Sequence, residues 1–171
     1  MRFSAPDPQA HAIGMAALRD QLQQAVQAGD TLAIVDHAAD LAGMLTTARQ
    51  EREALDLLRR HADAAGALPH AEPAGWYWSA YATALQYTGQ RLEADRYFAE
   101  ALALSVAATW TRLQAMVLHH WGRNLAEQRR FAEAEARITE ALALRVQMNH
   151  PLQQSSRLAL ERLTALRGDA A

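Results

Sequence analysis

The sequence predicts an all-α fold built from a repeated pair of helices. Three observations carry this. Ala, Leu, Arg, Gln and Glu, the strong helix formers, dominate 171 residues that hold only eight Gly and five Pro. Apolar residues recur at three- and four-residue spacing, the period of one helix face. Three ungapped segments also align with one another at an offset of forty residues.

The first element is "PQAHAIGMAALRDQLQQAVQA", residues 8–28, one helix with Ile13, Ala17 and Val26 on a shared face. Gly29 and Asp30 stop it, and Asp30 or Thr31 is placed to cap the next helix. Residues 8–30 therefore read as a packing helix ahead of the repeats.

The repeats follow at 31–66, 74–107 and 109–148. Their matching segments are "LAGMLTTARQEREALDLLRRHADAA" from Leu41, "YATALQYTGQRLEADRYFAEALALS" from Tyr81 and "WGRNLAEQRRFAEAEARITEALALR" from Trp121. Leu45, Leu85 and Leu125 coincide, as do the dipeptides at Glu53, Glu93 and Glu133, each followed by Ala. Leu58, Phe98 and Ile138 share a large apolar column, and Ala42, Ala82 and Gly122 a small one. Each copy reads as two amphipathic helices joined by a short turn, with the small column letting the two backbones approach. The recurring Glu sits near the start of each second helix, where a carboxylate suits the helix dipole.

These columns resemble the tetratricopeptide repeat. The second copy offers Trp78-x2-Tyr81-Ala82-x2-Leu85 and then Ala94-x3-Phe98. The third offers Leu118-x2-Trp121-Gly122-x2-Leu125 and Ala134-x3-Ile138, and the first Ala38-x2-Leu41-Ala42-x2-Leu45 and Ala54-x3-Leu58. The period is forty rather than thirty-four, Val106 and Val146 stand where a closing proline is usual, and His61 stands where the other copies have Ala101 and Ala141. With "ALALRVQMNHP", the spacing is similar to the longer repeats of kinesin-light-chain type. The resemblance covers roughly residues 31–150. It implies a right-handed solenoid of about eight antiparallel helices, in one domain spanning 1–171, that binds proteins.

The longest connection predicted is "AGALPHAEPAG", residues 65–75. The last element is a capping helix over 151–167, starting at Pro151. Leu152, Leu160, Leu163 and Leu166 are expected inside; Gln153, Gln154, Arg157, Glu161, Arg162 and Arg167 are expected outside.

Composition narrows the function classes. The net charge is −2, so sequence-independent nucleic-acid binding lacks electrostatic support. All 17 basic residues are Arg, which removes lysine nucleophiles and Schiff bases. The absence of Cys removes disulfides and thiolate chemistry and suits a reducing, cytoplasmic setting. No secretory signal is visible in "MRFSAPDPQ" and no apolar run is long enough to span a membrane. No phosphate loop, nucleophile elbow or zinc motif occurs, and the adjacent pair His119 and His120 diverges by about 100° around a helix, so neither catalysis, a cofactor nor a metal is expected.

Binding has more support. In repeats of this type the first helix of each pair lines an inner surface. The phase of the core columns places Asp36, Asp40, Gly43 and Thr47 there in the first copy, Trp76, Ser79, Thr83, Gln86 and Tyr87 in the second, and Met116, His119, His120, Arg123 and Glu127 in the third. The stretch "GWYWSAY" divides accordingly. Trp76 and Trp78 lie about 200° apart, Trp78 and Tyr81 fall in packing columns, Tyr77 lies between the faces, and Trp76 is left to meet a partner. Lys and Asn, which carboxylate-clamp repeats use, are missing from these positions, but Arg123 can grip a carboxylate. The expected function is a non-enzymatic interaction module or adaptor that takes a peptide or helix of another protein. The alternatives are a small chaperone for one cognate partner, secreted or assembled, and a self-associating homodimeric scaffold.

Overall fold

The computed structural model describes residues 7–168; residues 1–6, part of the stretch read for a secretory signal, lie outside the described residues. Every regular element described is a helix: α1 (Pro8–Ala28), α2 (Thr31–Thr47), α3 (Glu51–Arg60), α4 (Ala62–Gly66), α5 (Glu72–Tyr87), α6 (Arg91–Ala107), α7 (Thr111–Glu127), α8 (Phe131–Gln147) and α9 (Gln153–Gly168). The result is an all-α helical-repeat fold. The described residues form two compact units, one up to Tyr97 and one from Phe98, with the boundary inside α6.

The forty-residue period is written into the backbone as well as the side chains. Left-handed residues occur at Arg49, Gly89 and Arg129, between the helices of each pair, with φ of 67°, 90° and 62°. Each is followed by the same closing bond: Gln50, Gln90 and Arg130 donate their N–H groups to the carbonyls of Leu45, Leu85 and Leu125 at 2.9, 2.9 and 3.0 Å. This is the Schellman arrangement, which satisfies carbonyls that a helix end leaves open. Thr109 and Asn149 repeat the device after α6 and α8, with Trp110 and His150 donating to Ser105 and Arg145 at 2.9 and 2.8 Å. Gly29 does so after α1. Of the two caps offered for α2, Asp30 serves: its carboxylate accepts from the Ala33 N–H at 3.0 Å. Glu53, Glu93 and Glu133 all lie in the first turns of their helices, as the dipole argument requires.

In the first unit α2 packs against α1, α3, α4 and α5, and α5 also meets α3 and α4. The expected columns are buried: Ala38, Leu41, Ala42 and Leu45 from α2, Ala54 and Leu58 from α3, and Tyr81, Ala82 and Leu85 from α5. Three details differ from the sequence reading. The buried face of α1 carries Leu22 and Ala25, while Ile13 is 64% exposed and Val26 48%, with Ala17 also exposed. Leu18, Leu22 and Ala25 follow the i, i+4, i+7 spacing, and this is the stripe that turns toward the protein. The long loop expected at 65–75 shrinks, because α4 ends at Gly66 and α5 begins at Glu72 with Pro73 in its first turn.

The third difference is an extra helix. The second helix of the first pair breaks at His61, leaving α4 as a separate single turn. Tyr77 explains it. Its hydroxyl donates to the Leu58 carbonyl, which also accepts from the His61 N–H. A carbonyl engaged by a side chain from another helix no longer propagates the ladder. Tyr77, read as lying between faces, is therefore a core residue, fully buried. Burial pushes its hydroxyl well above the ordinary tyrosine value, with Tyr81 and Asp63 adding to the shift.

In the second unit α7 packs on α8, and α9 covers both. The small column has its clearest effect here: a Cβ on Gly122 would lie 2.5 Å from Ile138 Cγ1 and 3.1 Å from the Ala134 carbonyl oxygen. Leu125, Ala134 and Leu163 form a core, with Trp121, Ala126 and Phe131 packed beside it. The cap helix buries less than its sequence suggests. Leu163 is inside and Leu160 half-buried, but Leu152 and Leu166 are each 39% exposed. Pro151 lies in the turn before α9, where the Leu152 N–H donates to His150 Nδ1 at 3.1 Å. Gln153 is half-buried; the other polar residues named for its outer face are exposed.

Candidate functional site

In the first unit α2 and α5 carry the residues assigned to the inner surface. Asp36 and Asp40 sit one turn apart on α2 and are exposed. Partial burial and the Asp36 carboxylate push Asp40 above its ordinary value, and His37 partly opposes this. On α5 the aromatic stretch divides in a way the sequence only partly showed. Tyr77 and Tyr81 are buried. Trp78 stacks on Tyr97 with ring centroids 5.4 Å apart, and Tyr81 meets the same ring edge-on at 4.7 Å. Tyr97 joins this cluster from α6, a contribution the repeat columns did not flag because the position holds no aromatic in the other copies. Such packed ring pairs add roughly 0.5–1.5 kcal/mol beyond their burial.

Trp76 lies outside that cluster. It is half-buried, and its indole N–H donates to Glu72 Oε1 at 3.2 Å. Thr83 is also half-buried, its hydroxyl donating to the Ser79 carbonyl at 2.9 Å, and Tyr87 is half-buried two turns from α5's middle. Ser79 is 5% exposed and Gln86 0%, so neither presents its side chain at the surface. Both amide atoms of Gln86 are without a hydrogen-bond partner among the described residues.

In the second unit α7 carries Met116, His119, His120, Arg123 and Glu127. Glu127 is exposed, and Met116 and Arg123 are half-buried. His119 is 4% exposed, not turned outward. Its Nδ1 is 3.2 Å from the Ser156 hydroxyl of α9, and its ring meets His120 edge-on at 5.7 Å. Arg145 of α8 completes the group. It donates through Nη1 to the Ser156 hydroxyl at 2.9 Å and to the Leu152 carbonyl at 3.1 Å, and its Nη2 is 3.8 Å from Met116 Sδ. Burial is the main cause that lowers His119 to about 2 and His120 to about 3, and the positive charges of Arg145 and Arg123 lower both further. Both imidazoles are therefore neutral at pH 7. Burial lowers Arg145 to about 10, which leaves it charged.

Arg145 and Ser156 were absent from the sequence reading. A signal existed: positions 65, 105 and 145 form one column, and it runs Ala, Ser, Arg. A guanidinium in a column otherwise filled by small side chains marks a place where the repeat is doing something different. Among the described residues no group of three His, Cys, Asp or Glu side chains is arranged to hold a metal ion, and no helix is long and apolar enough to cross a membrane.

No protein-family model and no curated protein matches the chain. Among solved structures it is similar to the crystal structure of BtubC (BKLC) from P. vanneervenii, a kinesin-light-chain-like protein, with a TM-score of 0.71 and 20% sequence identity. The match covers 90% of this chain and 65% of that one, so this chain spans about two thirds of that neighbour's length. The likeness is one of fold, an all-α helical repeat.

Proposed function

We propose that the protein is a non-enzymatic interaction module, an adaptor that takes a peptide or helix of a partner protein along the first helices of its repeats. Each unit presents its own face: Asp36, Asp40, Trp76, Thr83 and Tyr87 on the first, and Met116, Arg123 and Glu127 on the second. Ser79, Gln86 and His119 are left out because their side chains are buried, and His120 because its ring packs on His119 with Nδ1 enclosed. Trp76 carries the reading. Tyr77, Trp78, Tyr81 and Tyr97 already supply the aromatic packing of this unit, and Trp76 is held in place by a carboxylate of its own helix instead. A half-buried tryptophan with a fixed ring is the kind of residue that dominates interface energetics. The kinesin-light-chain-like fold supports a protein partner in general.

The test is capture of partners from the native host, followed by titration of the purified partner against the wild-type chain, Trp76→Ala and Arg123→Ala. Each substitution is expected to weaken binding about tenfold or more with an unchanged helical circular-dichroism spectrum. Equal affinity for all three chains overturns the assignment of these faces. A partner that proves to be a second copy of the chain, seen as a concentration-dependent dimer in light scattering, replaces the adaptor with a homodimeric scaffold.

A further inference from the structure

The second unit contains a buried cation with no counter-ion among the described residues. Arg145 is 2% exposed. Its partners are a hydroxyl, a carbonyl and a thioether, all neutral, and no carboxylate of the described residues pairs with it. A buried charge is ordinarily paired or bound to a ligand of opposite sign, because taking an uncompensated ion out of water is strongly unfavourable. Two further basic groups lie beside it. His119 shares the Ser156 hydroxyl with Arg145, and His120 Nδ1 is buried with no hydrogen-bond partner among the described residues. Arg145 and Arg123 act on both imidazoles and His120 acts on His119, all disfavouring a further positive charge.

We infer that Arg145, His119, His120 and Ser156 form a binding site for a small oxyanion, at the junction of α7, α8 and α9. The donor chemistry fits an oxyanion better than a halide. A guanidinium offers planar paired N–H groups, imidazole adds an N–H, and Ser156 adds a rotatable hydroxyl, so oxygens at fixed separations are matched by several donors at once. Phosphate and carboxylate share this chemistry. The site goes beyond the partner-binding faces, since the side chains of His119 and Arg145 do not reach the surface. Entry is by opening of α9, whose buried side chains are Ser156 and Leu163.

The experiment titrates the full chain with inorganic phosphate and, separately, with acetate, against chloride at equal ionic strength. Phosphorus NMR line-broadening and calorimetry read binding, and the imidazole nitrogen signals of His119 and His120 report its place. Saturable binding of either oxyanion is expected, and the tighter of the two names the source. At about twenty times its Kd the ligand raises the folding constant about twentyfold. Arg145→Gln, which keeps a hydrogen-bond donor but no charge, is expected to bind at least about tenfold more weakly. Should that variant fail to fold, the wild-type signals decide alone. No saturation by phosphate or acetate overturns the site, and so does saturable binding that leaves both imidazoles unmoved or is unchanged in folded Arg145→Gln.

Discussion

Equivalent positions of the repeat are filled in opposite ways in the two units. Tyr77 in the first corresponds to Val117 in the second, and Ala65 in the first to Arg145 in the second; all four are buried. The first unit draws its bulk from an aromatic side chain on a first helix. The second draws it from a guanidinium on a second helix. Helix positions are set by the recurring columns, Leu45 with Leu85 and Leu125, and Leu58 with Phe98 and Ile138, which are at most 1% exposed in every copy. Volume between those columns is negotiable, and in one unit it has been given to polar groups. The lesson is that a repeat constrains where backbones lie far more than what chemistry sits between them.

The largest expected effect tests the aromatic side of the contrast. Tyr77→Ala empties a fully buried ring site and leaves the Leu58 carbonyl without its side-chain donor. A loss of about 3–5 kcal/mol in urea unfolding is expected. Val117→Ala costs less because fewer atoms are removed, and an equal cost would mean that the two positions are not filled by different strategies.

Acid tests the polar side. His119 is neutral in the folded protein with a value near 2, whereas the unfolded chain takes up its proton near 6.5. The stabilisation this neutrality requires is fully present above pH 6.5 and falls as pH drops toward the folded value. The slope is about 1.4 kcal/mol per pH unit, so about 2 kcal/mol is lost at pH 5. His120 acts in the same direction. Unfolding followed at pH 7, 6 and 5 should show both contributions in the wild type, about twice this slope, and about one of them in His119→Asn. A parallel slope in the variant removes His119 as its source.

Smaller still is the effect of the close helix approach. Gly122→Ala gains about 1 kcal/mol of helix propensity but drives a methyl into Ile138 and the Ala134 carbonyl. Overpacking of this kind costs about 1–3 kcal/mol, so a net loss is expected in thermal unfolding. A gain would show that Ile138 can move aside. The smallest effect belongs to the turns. Arg129 adopts φ 62° where Gly89 adopts φ 90°, and a side chain in that region costs about 1–2 kcal/mol. Arg129→Gly is expected to stabilise by up to about 1 kcal/mol in the same assay, offset by the freedom glycine gains when unfolded.

What recurs in the sequence was legible: helix pairs, turn positions, the large and small columns and the first-turn glutamates. Recurrence separates a structural requirement from the background of an Ala- and Leu-rich chain. What occurs once was not. Tyr77 fell between two faces by angle alone, and its burial depends on a hydroxyl reaching a carbonyl of α3. That contact also splits α3 from α4, which no local propensity announces. For the same reason no pattern singles out Arg145 and Ser156, and helix phase alone points His119 to the inner face although Ser156 and Arg145 enclose it. On α1 and α9 there are more apolar residues than one face can bury, so pattern alone did not say which leucines and valines turn inward.

The left-handed turn that returns every forty residues has a further meaning. Arg49, Gly89 and Arg129 end their helices with the same hydrogen bond to the same leucine column, whatever side chain occupies the turn. Each such turn is a standard joint. A segment cut at one joint and rejoined at the next carries both of its end fittings with it, so the natural unit for lengthening, shortening or shuffling this chain is forty residues measured from turn to turn.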